Sequence, residues 1–122
     1  MYNAVGWFEI YVQDAARARS FYEAVFEVKL ERLPVPDIEM WTFPMDAEGK
    51  GASGALVKME GCPAGGNSTL VYFTCEDCAV EESRVAPEGG RVERSKMSIG
   101  EYGFISLVYD TENNMIGLHS LK

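Results

Sequence analysis

Glu9 and His119 are the two side chains whose setting in this sequence suits them to move a proton. Glu9 stands inside Phe8-Glu9-Ile10-Tyr11-Val12, whose alternation is that of a β-strand. A carboxylate in a covered strand must be paired, hydrated or protonated, because burying it alone is costly. Glu9 is then either a general base or ligand acceptor, or a rim carboxylate bonded to a neighbouring Tyr or Arg. His119 is the only histidine. Its ordinary pKa suits proton transfer near neutrality. It can equally be read as a partly exposed packing residue.

Other reactive groups offer less. Cys75-Glu76-Asp77-Cys78 has the spacing of a redox motif at a strand-to-helix junction. Two carboxylates between the sulfurs raise a thiolate pKa, so the pair reads better as small buried hydrophobes. Three cysteines and one distant histidine lack the spacing of a structural zinc site. Lys58 would be a nucleophile only if buried, and a strand-end lysine is ordinarily solvated. Gly100-Glu101-Tyr102-Gly103 carries an acid and precedes no helix, so it reads as a tight turn and not a phosphate loop.

Charge and length bound the partners. Nineteen acidic residues against eleven basic ones give a net charge of −8. The basic residues are scattered singly, which disfavours nucleic acid and anionic membranes. A small neutral or cationic ligand is easier to accommodate. A chain of 122 residues suits one domain. No apolar run reaches the length of a membrane span. An odd cysteine count without a leader pattern points to a reducing cytoplasm.

The elements that must position these groups come in two similar halves. Phe8–Val12 is followed by Asp14, an N-cap, and by an apolar stripe of Ala18, Phe21, Tyr22 and Val25. Strands follow around Val28–Arg32, Ile38–Phe43 and Ser53–Met59. The second half repeats this order with Leu70–Cys75, Asp77 as cap, and a helix over about Cys78–Val85. Strands at Arg91–Lys96, Phe104–Tyr109 and Met115–Leu121 close it. Thr111-Glu112-Asn113-Asn114 reads as a hairpin turn. Gly61–Asn67, with Pro63, Gly65 and Gly66, is the linker.

Phe8–Asp14 followed by Ala18-Arg19-Ser20-Phe21-Tyr22-Glu23, with the closing Asp110-Thr111-Glu112-Asn113-Asn114-Met115-Ile116-Gly117-Leu118, resembles the vicinal-oxygen-chelate superfamily. Ile99–Phe104 resembles its glyoxalase-related branch. The superfamily includes glyoxalase I, bleomycin-resistance proteins and extradiol dioxygenases. The resemblance implies an α+β fold, two βαβββ modules forming curled mixed sheets around a cavity. Module 1 covers about residues 1–60, the linker 61–67, and module 2 about 68–122, in a single glyoxalase-like domain.

Metal-dependent members place one His or Glu on each of four strands. Those positions fall here on Trp7, on Gly54 or Ala55, on Leu70 and on Gly117. None of these ligates a divalent metal. The expectation is therefore no metal and no cofactor, and no true glyoxalase I activity. Alternation together with the resemblance turns Trp7, Glu9 and Tyr11 toward the cavity, with Leu70, Tyr72, Thr74, Met115, Gly117 and His119. Trp41, Glu101 and Tyr102 join them, Tyr102 closing over the cavity.

Two functions stay open. One is a glyoxalase-related enzyme of lyase or isomerase type, using Glu9 and His119 as an acid–base pair. The other is a non-catalytic protein that sequesters an aromatic or cationic small molecule, like bleomycin-resistance proteins. Trp7, Tyr11, Trp41, Tyr72, Thr74, Glu101 and Tyr102 would bind the ligand in either case. The family also implies a homodimer, with Gly61–Asn67 as a hinge for exchanging halves.

Overall fold

Asp14 starts the first helix by the mechanism its residue type suggests. Its backbone is extended, and its carboxylate accepts the Arg17 N–H at 3.0 Å. The helix ends at Glu27, whose φ of 53° is left-handed and whose N–H bonds the Glu23 carbonyl. The computed structural model describes residues 3–65, 68–111 and 114–122. The element order is β1 (Val5–Tyr11), α1 (Ala15–Phe26), β2 (Glu31–Leu33), β3 (Glu39–Thr42), β4 (Ser53–Lys58) and β5 (Thr69–Thr74). It continues with α2 (Cys78–Val85), β6 (Arg91–Ser98), β7 (Phe104–Tyr109) and β8 (Met115–Ser120). The βαβββ order thus occurs twice, in an α+β fold. Gly66 and Asn67 of the expected linker, and Glu112 and Asn113 of the expected turn, lie outside the described residues.

Two compact units result. The first is Trp7–Leu70, and the second is Val71–Lys122 with the segment ending at Gly6. In the first, the strand order is β2-β3-β4-β1, with β1 parallel to β4 and the other pairs antiparallel. One sheet face packs under α1 through Val12, Ala15, Leu30 and Leu56, joined by Ile10, Ala18 and Tyr22. The opposite face carries Met40, Ala55 and Val57, with Trp7 and Tyr11 packed on them.

The helix is turned relative to the stripe expected for it. Ala15, Ala18 and Tyr22 face the sheet, whereas Phe21 is 58% and Val25 56% exposed. Ala15 anchors this phase because it is small enough to lie against the buried Val12 and Leu30.

In the second unit, the order is β5-β8-β7-β6, with β5 parallel to β8 and β7 antiparallel to both neighbours. Cys75, Cys78, Val108 and Leu118 form the core under α2. Asp77 caps α2 by accepting the Ala79 N–H at 3.0 Å, and Lys96 Nζ donates to the same oxygen at 2.8 Å. Lys96 holds the Asp77 carboxyl below its usual range. The buried Ser120 hydroxyl accepts the Cys78 N–H at 3.0 Å, tying α2 to β8.

Candidate functional site

β1 lies on β4 with Trp7 opposite Ser53, Glu9 opposite Ala55 and Tyr11 opposite Val57. Strand alternation places Trp7, Glu9 and Tyr11 on the face away from α1. Glu9 is only 8% exposed. Tyr11 donates its hydroxyl to Oε1 at 2.8 Å, and the Trp7 indole N–H donates to Oε2 at 3.3 Å. Burial pushes the Glu9 pKa above the usual glutamate value, and the bonds from Tyr11 and Trp7 pull against that rise. The result is a carboxyl that can carry a proton, oriented through both oxygens. Such perturbed groups concentrate where proton transfer occurs.

His119 lies on β8 of the second unit, opposite Thr74 on one side and Ile105 on the other. Its Nε2 is 2.7 Å from the Tyr102 carbonyl oxygen. A carbonyl only accepts, so this contact makes Nε2 the donor and leaves the lone pair of the neutral ring on Nδ1. Tyr72 lies opposite Gly117, and its ring occupies the space a side chain at 117 would take. Thr74 is half-buried, and its N–H bonds the Ala4 carbonyl at 2.9 Å. Glu9 and His119 belong to different units, and each is placed here by its own unit alone.

Trp41 packs on the α1 side, the face opposite Glu9. The Arg19 guanidinium lies 3.6 Å from its ring centroid, and its indole N–H donates to Glu39 at 2.9 Å. Its strand neighbour Met40 takes the Glu9 face instead. Glu101 and Tyr102 sit in a short 3₁₀ turn, with Tyr102 50% exposed. The Tyr102 carbonyl, and not its ring, reaches His119. Lys58 is exposed at the end of β4, beside Cys62 in an open pocket of about 550 Å³.

The cysteine pair is a packing feature. Cys75 and Cys78 are both buried, and all three cysteines are free. The Cys75 thiol is pushed up to about 11, first by burial and then by the Glu81 carboxylate. The opposing acid comes from α2, and not from Glu76 or Asp77 between the sulfurs.

The positions that hold metal in the resembling family do not fit a metal ion here. Ala55, and not Gly54, shares the Glu9 face; a side chain at 54 would meet Phe8 on the other side. Trp7, Ala55 and Leu70 offer indole and hydrocarbon, and the Tyr72 ring fills the space over Gly117. Among the described residues, no three His, Cys, Asp or Glu side chains converge.

One group escaped the sequence reading. Arg94 of β6 lies opposite Leu107, on the face away from α2. Plain alternation puts it with Val92 under the helix. The signal that moves it is a pair of β-bulges, which have no clear sequence mark.

No curated protein matches the chain. Among solved structures, methylmalonyl-CoA epimerase from Streptomyces coelicolor, in complex with 2-nitronate-propionyl-CoA, is similar at a TM-score of 0.69 and 13% identity, covering 98% of both chains. The epimerase from Mycobacterium tuberculosis gives 0.68 and 13%, covering 98% of this chain and 88% of that one. A hypothetical protein from Bacillus halodurans C-125 gives 0.75 and 9%, covering 100% and 96%. At these identities the likeness is one of fold. A family model matches residues 4–118, and the chain belongs to the Glyoxalase/Bleomycin resistance protein/Dioxygenase superfamily.

Proposed function

We propose that the chain is an isomerase-type enzyme acting on a small organic substrate, with the Glu9 carboxyl moving the proton. The observation that carries this reading is the buried carboxyl itself, raised in pKa yet bonded through both oxygens to Tyr11 and Trp7. In its ionised form Glu9 takes a proton from a carbon acid and becomes neutral. The proton then returns from Glu9 to a neighbouring atom on the same face of the carbanion, so atoms and charge balance. Tyr11 and Trp7 keep the carboxyl aimed while it changes charge. The epimerases of the same fold support the reaction class, one of them being in complex with 2-nitronate-propionyl-CoA. No step here runs through a metal. His119, with its lone pair on Nδ1, is the second candidate proton carrier.

The second reading is a small-molecule binding protein without turnover. It is favoured by the aromatic side chains Trp7 and Tyr11 beside Glu9, which suit a planar ligand. A cytoplasmic homodimer belongs to both readings, and light scattering reads the dimer.

The deciding experiment is deuterium incorporation from D₂O into a panel of acyl thioesters and 2-keto acids, followed by NMR. Catalysed exchange is expected for the wild type. Glu9→Gln should lose about 10²–10⁴-fold in rate while keeping the ligand bound. Ligand binding with no exchange across the panel selects the second reading.

A further inference from the structure

β6 does not follow simple alternation. Val92 lies opposite Val108, Arg94 opposite Leu107 and Met97 opposite Ile105, with a register shift in each interval. Each shift inserts an extra residue and turns the next side chain to the other face. Val92 packs into the core under α2, and Lys96 reaches Phe104 and Asp77 on that same side. Arg94 and Met97 face the other way. An Arg94 guanidinium nitrogen, Nη1, lies 3.6 Å from Met97 Sδ. Leu107 lies opposite Gly117, and Ile105 opposite His119. Arg94 therefore shares a face with His119 and with the Tyr72 ring over Gly117.

The charge on this face is unlike that of the chain. Arg19, Arg32 and Arg84 each meet a carboxylate, from Glu23, Glu39 and Glu81. Arg94 makes no ion pair among the described residues, and its partner is a thioether, a weak acceptor. β5, β7 and β8 contain no Asp or Glu. Asp110, beyond β7, accepts from Asn114. Glu93 sits in the first register shift of β6. In a chain of net charge −8, Arg94 is thus a cation without a carboxylate partner among the described residues.

We propose that this face binds an organic oxyanion, a carboxylate or a phosphate, with Arg94 as its anchor. The inference rests on the small-molecule reading above and names the ligand class of this unit as an organic anion. The guanidinium fork matches either oxyanion with two parallel bonds, and Met97 yields readily as a competing acceptor. The net charge of the sequence suggested a neutral or cationic ligand; the local arrangement of β6 selects an anion.

The test is an NMR titration of the ¹⁵N-labelled full chain at constant ionic strength. One arm uses succinate, the other inorganic phosphate, and sodium chloride is the control. A saturable shift of the Arg94 side-chain N–H and of the β6 and β8 amides is expected in at least one arm. The responding arm identifies the oxyanion. Arg94→Gln should weaken binding about tenfold or more, since it removes charge-assisted bonds. Arg84→Gln, whose arginine already pairs with Glu81, should leave it unchanged. Arg94 is exposed, so the variant's amide spectrum should otherwise match the wild type. No saturable shift in either arm, or equal affinity in Arg94→Gln, overturns the proposal. The same titration on Glu9→Gln separates the two readings. Anion binding that persists there stands whether or not Glu9 moves a proton.

Discussion

The Tyr11 hydroxyl donates to Glu9 Oε1 at 2.8 Å from the same face of the same strand. Burial favours the neutral acid, and this bond favours the carboxylate. Tyr11→Phe removes the bond and leaves the burial. The Glu9 pKa should therefore rise further, as read from the side-chain carboxyl carbon in an NMR pH titration. An unchanged or lower value would mean that water replaces the hydroxyl and that burial is not what governs the site.

The same group makes stability depend on pH. Unfolded, Glu9 titrates near 4.5; folded, it titrates higher. As pH rises, the unfolded chain loses this proton first, so the native state holds more protons between the two values. The contribution is present below 4.5 and is lost as pH rises through the folded value. Glu9→Gln lacks this titration. Its Tm relative to wild type should climb across that window and level off above it. A difference that is flat with pH would refute the raised pKa.

Which parts of this were legible in the sequence follows from how local their causes are. The caps at Asp14 and Asp77 need only the next few backbone N–H groups, and both appear where expected. Tyr11 and Trp7 flank Glu9 on one face because the period of a strand is two. Trp41 was misplaced because a strand as short as β3 has no phase of its own. Its facing is set by pairing with β4, where Trp41 lies opposite Leu56 and Met40 opposite Val57. Arg94 was missed for the matching reason. Its facing depends on bulges that arise only when β6 pairs with β7.

Gly117 is defined by its neighbour across the sheet. A Cβ there would collide with the Tyr72 ring, and the φ of Gly117 is not in the left-handed region. The cost of Gly117→Ala is therefore steric, about 1–3 kcal/mol by urea unfolding. Tyr72→Ala removes the obstacle at its own packing cost. The double variant should be less destabilised than the sum of the two single ones. Simple additivity would place the strain in the backbone instead of the ring.

Helix α1 offers the sharpest check on packing, because two adjacent aromatic residues have opposite environments. Tyr22 packs into the core, with its ring edge-on to Phe43 at 5.8 Å. Phe21 touches Tyr22 edge-on at 5.1 Å but is otherwise in water. Tyr22→Ala loses buried area and leaves a cavity, which costs about 2–4 kcal/mol. Phe21→Ala loses one aromatic contact, worth about 0.5–1.5 kcal/mol. Denaturant midpoints should therefore separate the two variants clearly. If both fell together, Phe21 would have to be covered in solution by something other than this chain's own sheet. A concentration series on Phe21→Ala then decides whether that cover is a second copy, since only that loss of stability would vary with protein concentration.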